Sequence, residues 1–245
     1  MRIGDNLALI SLSEEVNFTN AKDLKAYADT LIEQGYTKFI VDFTDTIYMD
    51  SSGLGVIIYL QNQVKELEGS INFINVSSNI MRFLSMLKLS EFFNARSKIK
   101  LEQEKISANP AKAPEFSNTR KVPPDPKFMS EIRREVKEQL EDYLGQERLF
   151  DTVLALGEAL GNAFDHGCRD ACLANIYVTL TGYDDRMVIE VSDNGKGVEI
   201  QDDFLPEPTE TRGRGIRLMY MLVDSVEISK KAYGEGTVVK LVTLR

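Results

Sequence analysis

Apolar residues recur along this chain with two periods, and each change of period marks an expected change of secondary structure. Leu7 to Leu12 suits a short strand. Thr19 or Asn20 is placed to cap a helix in which Leu24, Tyr27, Ala28, Leu31 and Ile32 recur at helical spacing, and Gly35 ends it. Lys38 to Phe43 (K-F-I-V-D-F) is an apolar run of strand length, expected to be buried on both faces of a sheet. Asp50-Ser51-Ser52-Gly53 then precedes Leu54, Val56, Ile57, Leu60 and Val64, a second helical stripe that stops at Gly69. Ile71 to Val76 reads as a strand and Ser77 to Leu87 as a helix. Strands alternating with helices predict a small α/β domain over residues 1–104.

The periodicity then disappears. Pro110, Pro114, Pro123, Pro124 and Pro126 are five of the seven prolines in the chain, so residues 105–126 read as a linker rather than a structured hairpin. Helical spacing returns from Lys127 to Leu144 at Phe128, Ile132, Val136 and Leu140, and again at Phe150, Val153, Leu154, Leu156 and Leu160. Ala174 to Thr181 and Met187 to Ser192 alternate, and the turn-rich Gly182-Tyr183-Asp184-Asp185 joins them as a hairpin. Gly215 to Val223 is helical, and Ser225 to Ser229 pairs with Thr237 to Thr243 through a turn at Gly234 and Gly236. Residues 127–245 are therefore expected to place helices on one face of a mainly antiparallel sheet, an α/β sandwich.

Composition narrows the class. The chain has 245 residues, 43% of them hydrophobic, enough for two ordinary cores. The longest strongly apolar run, Val56 to Leu60, is far shorter than a membrane span, and Met1 to Ile10 carries no signal-peptide pattern, so a soluble, cytoplasmic protein is expected. A net charge of −9 argues against direct nucleic-acid binding, which needs clustered cations. Cys168 and Cys172 follow His166, the sole histidine, but a structural zinc site needs four ligands and the chain offers no fourth of this kind. Free thiols are the simpler reading.

The chemistry-bearing stretch is Gly157 to Gly167, G-E-A-L-G-N-A-F-D-H-G. In a continuous α-helix Glu158, Asn162 and His166 fall on one stripe. An amide carbonyl there suits Mg²⁺ that is otherwise held by phosphate and water, and a carboxylate one turn earlier can accept a proton from a hydroxyl. A solvated helix face is the plain alternative. Two glycine clusters follow. Asp193-Asn194-Gly195-Lys196-Gly197 ends a strand, and Gly213-Arg214-Gly215 opens a helix, where free N–H groups favour phosphate. Val198 to Arg212 between them reads as a lid, and Arg212, Arg214 and Arg217 as cations for phosphate or partner or as ordinary exposed side chains.

Glu-x3-Asn on a helix, Asp-x-Gly-x-Gly after a strand, Gly-x-Gly before a helix and Gly236-Thr237 at the last strand occur in that order. Together they resemble the ATP-binding domain shared by gyrase-type ATPases, Hsp90-type chaperones, histidine kinases and anti-sigma-factor serine kinases, the GHKL or Bergerat fold. The resemblance spans about Phe128 to Arg245. It implies that Asp193 reads the adenine amino group, Asn162 holds Mg²⁺ through the nucleotide, Gly195 and Gly197 admit the nucleotide, Gly213 and Gly215 wrap the phosphates, and Thr237 supports the adenine contact. It also places Asp165, His166, Arg212 and Arg214 at the nucleotide. The sole histidine lies inside the motif, which argues against a histidine kinase acting in cis, and the pattern looks most like the serine kinases, where an acid at Glu158 is the general base.

Asp50-Ser51-Ser52-Gly53-Leu54-Gly55 is by itself an ordinary helix cap. In its context, the first domain resembles the STAS domain of anti-sigma-factor antagonists, whose phosphoserine lies in a D-S-x-G-L pattern. That implies Ser52 as phosphoacceptor, with Ser51 as second choice. The two resemblances together imply an ATP- and Mg²⁺-dependent partner-switching regulator: a serine kinase fused to an antagonist-like domain, with a sigma factor or analogous regulator, a STAS antagonist in cis or trans, a PP2C-type phosphatase and a second copy of the chain as partners. A flexible linker of about twenty residues would span about 25 Å and permit reaction in cis. The alternatives are a non-catalytic ATP-binding module plugged by its own STAS domain, and an ATPase whose turnover opens a dimer.

Overall fold

A computed structural model describes residues 6–87, 89, 113–168, 175–195, 214–231 and 235–245, with backbone alone at 126, 166–168 and 214. The chain divides into two compact units, Met1–Lys100 and Leu101–Arg245.

In the first unit, β1 (Leu7–Ser11), β3 (Lys38–Asp42) and β5 (Ser70–Ile74) form a parallel sheet in the order β1-β3-β5. The helices are α1 (Ala21–Glu33), α2 (Ser51–Glu66) and α3 (Ser78–Met86). Parallel pairing requires crossovers, and the helices supply them. Two short strands that the hydrophobic pattern did not announce, β2 (Glu15–Val16) and β4 (Tyr48–Met49), pair in parallel immediately before α1 and α2. They are two residues each, too short for a period to register.

Two expectations need correction here. β3 is not equally buried on both faces: Phe39 and Val41 are fully buried, whereas Ile40 between them is only half-buried. Tyr27 does not join the buried stripe of α1 but is exposed, and the helix packs through Ala21 and Ala28, small enough for close approach. The start of α1 is also built differently from a side-chain cap. Asn20 occupies the cap position, yet its Oδ1 accepts from Asn17 N at 2.9 Å and its Nδ2 donates to the Glu15 carbonyl at 2.7 Å, leaving the Asn17 carbonyl to receive Ala21 N at 2.8 Å.

The second unit is a five-stranded antiparallel sheet in the order β6-β7-β8-β10-β9, from β6 (Phe116–Val122), β7 (Ile176–Gly182), β8 (Arg186–Ser192), β9 (Ser225–Lys230) and β10 (Thr237–Leu244). Its helices are α4 (Pro126–Leu140), α5 (Gln146–Asn162) and α6 (Arg214–Leu222). Ile176, Val178 and Leu180 of β7 and Val239 and Leu241 of β10 are buried, while Tyr177, Thr179 and Thr181 are half-exposed, the signature of a sheet packed on one face. Every residue of α5 from Asp151 to Leu160 is buried, so this helix runs through the core rather than across its surface.

The proline-rich stretch is not linker throughout. Its residues 116–122 are β6, paired with β7 along its whole length from Phe116 opposite Gly182 to Val122 opposite Ile176. Pro126 begins α4, with the Asp125 carboxylate accepting from Lys127 N at 3.1 Å, so this proline starts a helix where its missing N–H costs nothing. No helix among the described residues is long and apolar enough to cross a membrane.

Candidate functional site

The expected nucleotide pocket lies at one end of the antiparallel sheet, where β8 ends and β10 begins. Asp193 leaves β8 with its backbone N–H on the Thr237 carbonyl at 3.1 Å, and its side chain is buried at 4% exposure. Its Oδ1 accepts from Gly195 N at 2.8 Å and from Thr237 N at 3.4 Å. Both bonds use the same oxygen. Among the described residues Oδ2 has no hydrogen-bond partner, so it offers an acceptor of the kind an exocyclic amine requires. Gly236 makes this closure possible: its φ is +130°, and a β-carbon there would overlap the Asp193 carbonyl oxygen. Thr237 is itself buried beside the carboxylate. Asp193, Gly195 and Thr237, predicted separately, are thus one hydrogen-bonded unit.

Glu158 is buried at 6% exposure, three-quarters of the way along the core helix α5, so the solvated-face alternative does not hold. Its carboxylate lies against the first turn of α6, and a β-carbon on Gly215 would overlap Glu158 Oε2. A helix start favours an anion at that position through its exposed N–H groups and dipole. Asn162 follows one turn after Glu158 on the same face and is half-buried, the last residue of α5.

Beyond Asn162 the winding changes. Ala163–Cys168 is a π-helical segment, so the four-residue register that would stack His166 above Asn162 ends at Asn162. Asp165 lies in this segment, half-buried. A π turn is a common mark of a helix re-aimed at a ligand. The side chains of His166 and Arg214, together with Gly197, Arg212, Gly213, the expected lid at 198–212, Cys172 and Gly234, lie outside the described residues. Among those described, no cluster of His, Cys, Asp or Glu is arranged to hold a metal ion.

Lys231 was not singled out from the sequence. It follows β9, donates through Nζ to Asn194 Oδ1, and lies 5.7 Å from the centre of the Tyr177 ring. Three strands thus tie down the turn that carries Asp193. Nothing local in a terminal Lys-Lys pair distinguishes this lysine from a solvated one; only the strand order brings it beside Asn194.

At the expected acceptor, Asp50 is 3% exposed and caps α2: Oδ1 accepts from Ser52 N and Gly53 N, each at 2.9 Å. Its Oδ2 accepts from Phe18 N at 2.9 Å, and its own N–H reaches the Val16 carbonyl at 3.1 Å. Ser52 is half-buried, and among the described residues its hydroxyl has no hydrogen-bond partner. Ser51 is half-buried and engaged in an interaction of its own.

Comparison with known proteins agrees with both halves. Residues 1–105 match the STAS domain family, and residues 122–243 match the family described as histidine kinase-like ATPase domain. The anti-sigma-B factor antagonist of Bacillus subtilis is 28% identical over 94 residues, covering 38% of this chain and 85% of that protein. Among solved structures, the Bacillus cell fate determinant SpoIIAA in its phosphorylated form aligns with 40% of this chain and 89% of its own at 21% identity and a TM-score of 0.34. The histidine kinase domain of a blue-light-activated kinase from Erythrobacter litoralis aligns with 92% of this chain and 94% of its own, at 16% identity and a TM-score of 0.36. The chain accordingly carries a STAS domain followed by a histidine kinase-like ATPase domain.

Proposed function

We propose that the chain is an ATP-dependent partner-switching regulator whose ATPase domain is a protein serine kinase acting on an antagonist STAS serine, either its own Ser52 or that of a partner. The observation that supports this most directly is the buried Glu158 carboxylate one helical turn before Asn162, in the same domain as the Asp193 acceptor. A module that only bound nucleotide would not need a proton acceptor there.

The residues fit Mg·ATP by their donor set: Asp193 Oδ2 for the adenine amino group, the Asn162 amide oxygen for the metal, and the Asp193–Gly195–Thr237 unit to keep the acceptor rigid. When bound, Mg·ATP supplies an activated γ-phosphoryl group. Glu158 takes the proton of the serine hydroxyl as Oγ forms its bond to phosphorus and the bond to the β-phosphate oxygen breaks, giving phosphoserine and ADP. A hydroxyl without a hydrogen-bond partner among the described residues, as at Ser52, is free to donate that proton.

Phosphate on Ser52 would place about two negative charges beside the buried Asp50 carboxylate and change which surface the STAS domain can occupy. The partners in this reading are a sigma factor or similar regulator released or held accordingly, a PP2C-type phosphatase that resets the serine, and a second copy of the chain, all in the cytoplasm. The test is mass spectrometry of the full chain after incubation with Mg·ATP. One added phosphate on Ser52, absent from Ser52→Ala and Glu158→Ala chains, is the expected result, and mixing those two variants separates reaction in cis from reaction in trans. Nucleotide binding without any phosphate on the chain or on an added STAS antagonist would replace the kinase with a sequestering module.

A further inference from the structure

We infer that Gly215 is a positioning residue for the general base: its bare Cα keeps open the space in which the Glu158 carboxylate sits, and contact with a base rather than with phosphate requires glycine there. The inference rests on the reading of Glu158 as base. Its ground is packing. A β-carbon on Gly215 would overlap Glu158 Oε2 while approaching Glu158 Cδ and Cβ at only 3.5 and 3.7 Å, so the clash is with the reacting oxygen and not with the stem. Glu158 is itself buried, so turning its carboxylate away from Gly215 would have to be accommodated inside the core. Gly215 lies in the first turn of α6 beside the buried Leu218 and Met219, so the backbone that carries it is fixed as well. Alanine is a better helix former than glycine, so helix propensity does not call for glycine at this position. The carboxylate is what selects against alanine.

The test uses the full chain and three readouts. Thermal unfolding of Gly215→Ala, Glu158→Ala and the double variant reads the packing without any catalysis. Gly215→Ala should lower the Tm of the wild-type chain and leave that of Glu158→Ala unchanged or higher, because removing the carboxylate makes room for the methyl. Equilibrium binding of a fluorescent ATP analogue should change less than twofold in Gly215→Ala, while phosphate incorporation into a serine substrate falls at least tenfold in kcat with KM for ATP unaltered. Loss of ATP-analogue affinity by tenfold or more would overturn the inference in favour of a phosphate-wrapping glycine. Wild-type transfer by Gly215→Ala, or an equal Tm loss in both backgrounds, would overturn it too. A Glu158→Gln chain that phosphorylates at the wild-type rate would instead remove the base assignment under the proposed function, and the Tm comparison would still report on the packing.

Discussion

The starts of α2 and α6 both meet a buried carboxylate, yet the two carboxylates come from different places. At α2 the acid is Asp50, the residue next to the helix, and it spends both oxygens on backbone N–H groups: two of its own helix and one of Phe18. At α6 the acid is Glu158, delivered from the later part of another helix, with space made for it by a glycine. The first carboxylate is saturated and structural. The second is placed by tertiary packing, and under the proposed function it is the reagent. On that reading, a carboxylate at a helix start is a cap or a reagent according to which chain segment supplies it.

The sharpest way to break the contrast is to remove each acid in turn. Glu158→Ala should reduce phosphoryl transfer by about 10²- to 10⁴-fold, the range for a lost general base, with far-ultraviolet circular dichroism unchanged. A smaller loss in a radiolabel transfer assay would demote Glu158 to a structural acid like Asp50. Asp50→Ala should instead destabilise the first domain by about 2 to 3 kcal/mol, combining a lost cap with an orphaned Phe18 N–H, seen as a lower urea midpoint. Asp50→Asn keeps one acceptor and should recover part of that.

Ser77 offers an ordinary cap for calibration. Its hydroxyl accepts from Ile80 N at 3.4 Å, a long bond at the start of α3, so Ser77→Ala should cost at most about 1 kcal/mol in the same urea measurement. If it matched Asp50→Ala, the extra bond to Phe18 would contribute nothing. The smallest effect concerns an acid outside any helix start. Asp42 accepts from the Thr44 hydroxyl at 2.6 Å, from the Asn75 amide at 2.9 Å and from Thr44 N at 2.9 Å, which together hold its carboxyl below the usual carboxylate range. A depressed folded value stabilises the domain above the unfolded pKa of about 4, and that contribution is lost as pH falls through the folded value. Asp42→Asn should therefore flatten slightly the acid-side decline of the urea midpoint below about pH 4; an unchanged slope would mean that the carboxyl titrates alike in the folded and unfolded chains.

The same distinction between near and far explains what could be read in advance. The Asp50-Ser51-Ser52-Gly53 start of α2 was legible because cap and capped amides are neighbours. The β7–β8 hairpin was legible because a buried face imposes alternation. The change of winding after Asn162 was not: nothing in A-F-D-H-G-C forbids a continued α-helix. Neither was the partnership of Lys231 with Asn194, which exists only because β9 and β8 flank the same strand. β6 was hidden for a different reason. Ser117 to Lys121 are all exposed, so no apolar period could appear, and the strand is held by its ladder to β7 and by hydroxyl pairs, Ser117 with Thr181 at 3.0 Å and Thr119 with Thr179 at 2.9 Å.

That polar strand is also an outer border of the sheet. A border strand offers a row of unpaired peptide groups to any extended segment that drifts past, and sticky, uncharged borders seed aggregates. Arg120 and Lys121 put two like charges on this one, and Arg120 is further occupied by Glu135 of α4 at 3.5 Å. Charged residues on a border strand make edge-to-edge pairing costly. The residues that kept the strand out of the hydrophobic pattern are the ones that guard the sheet against unwanted growth, so replacing them with valine would make the strand easier to recognise and the protein harder to keep in solution.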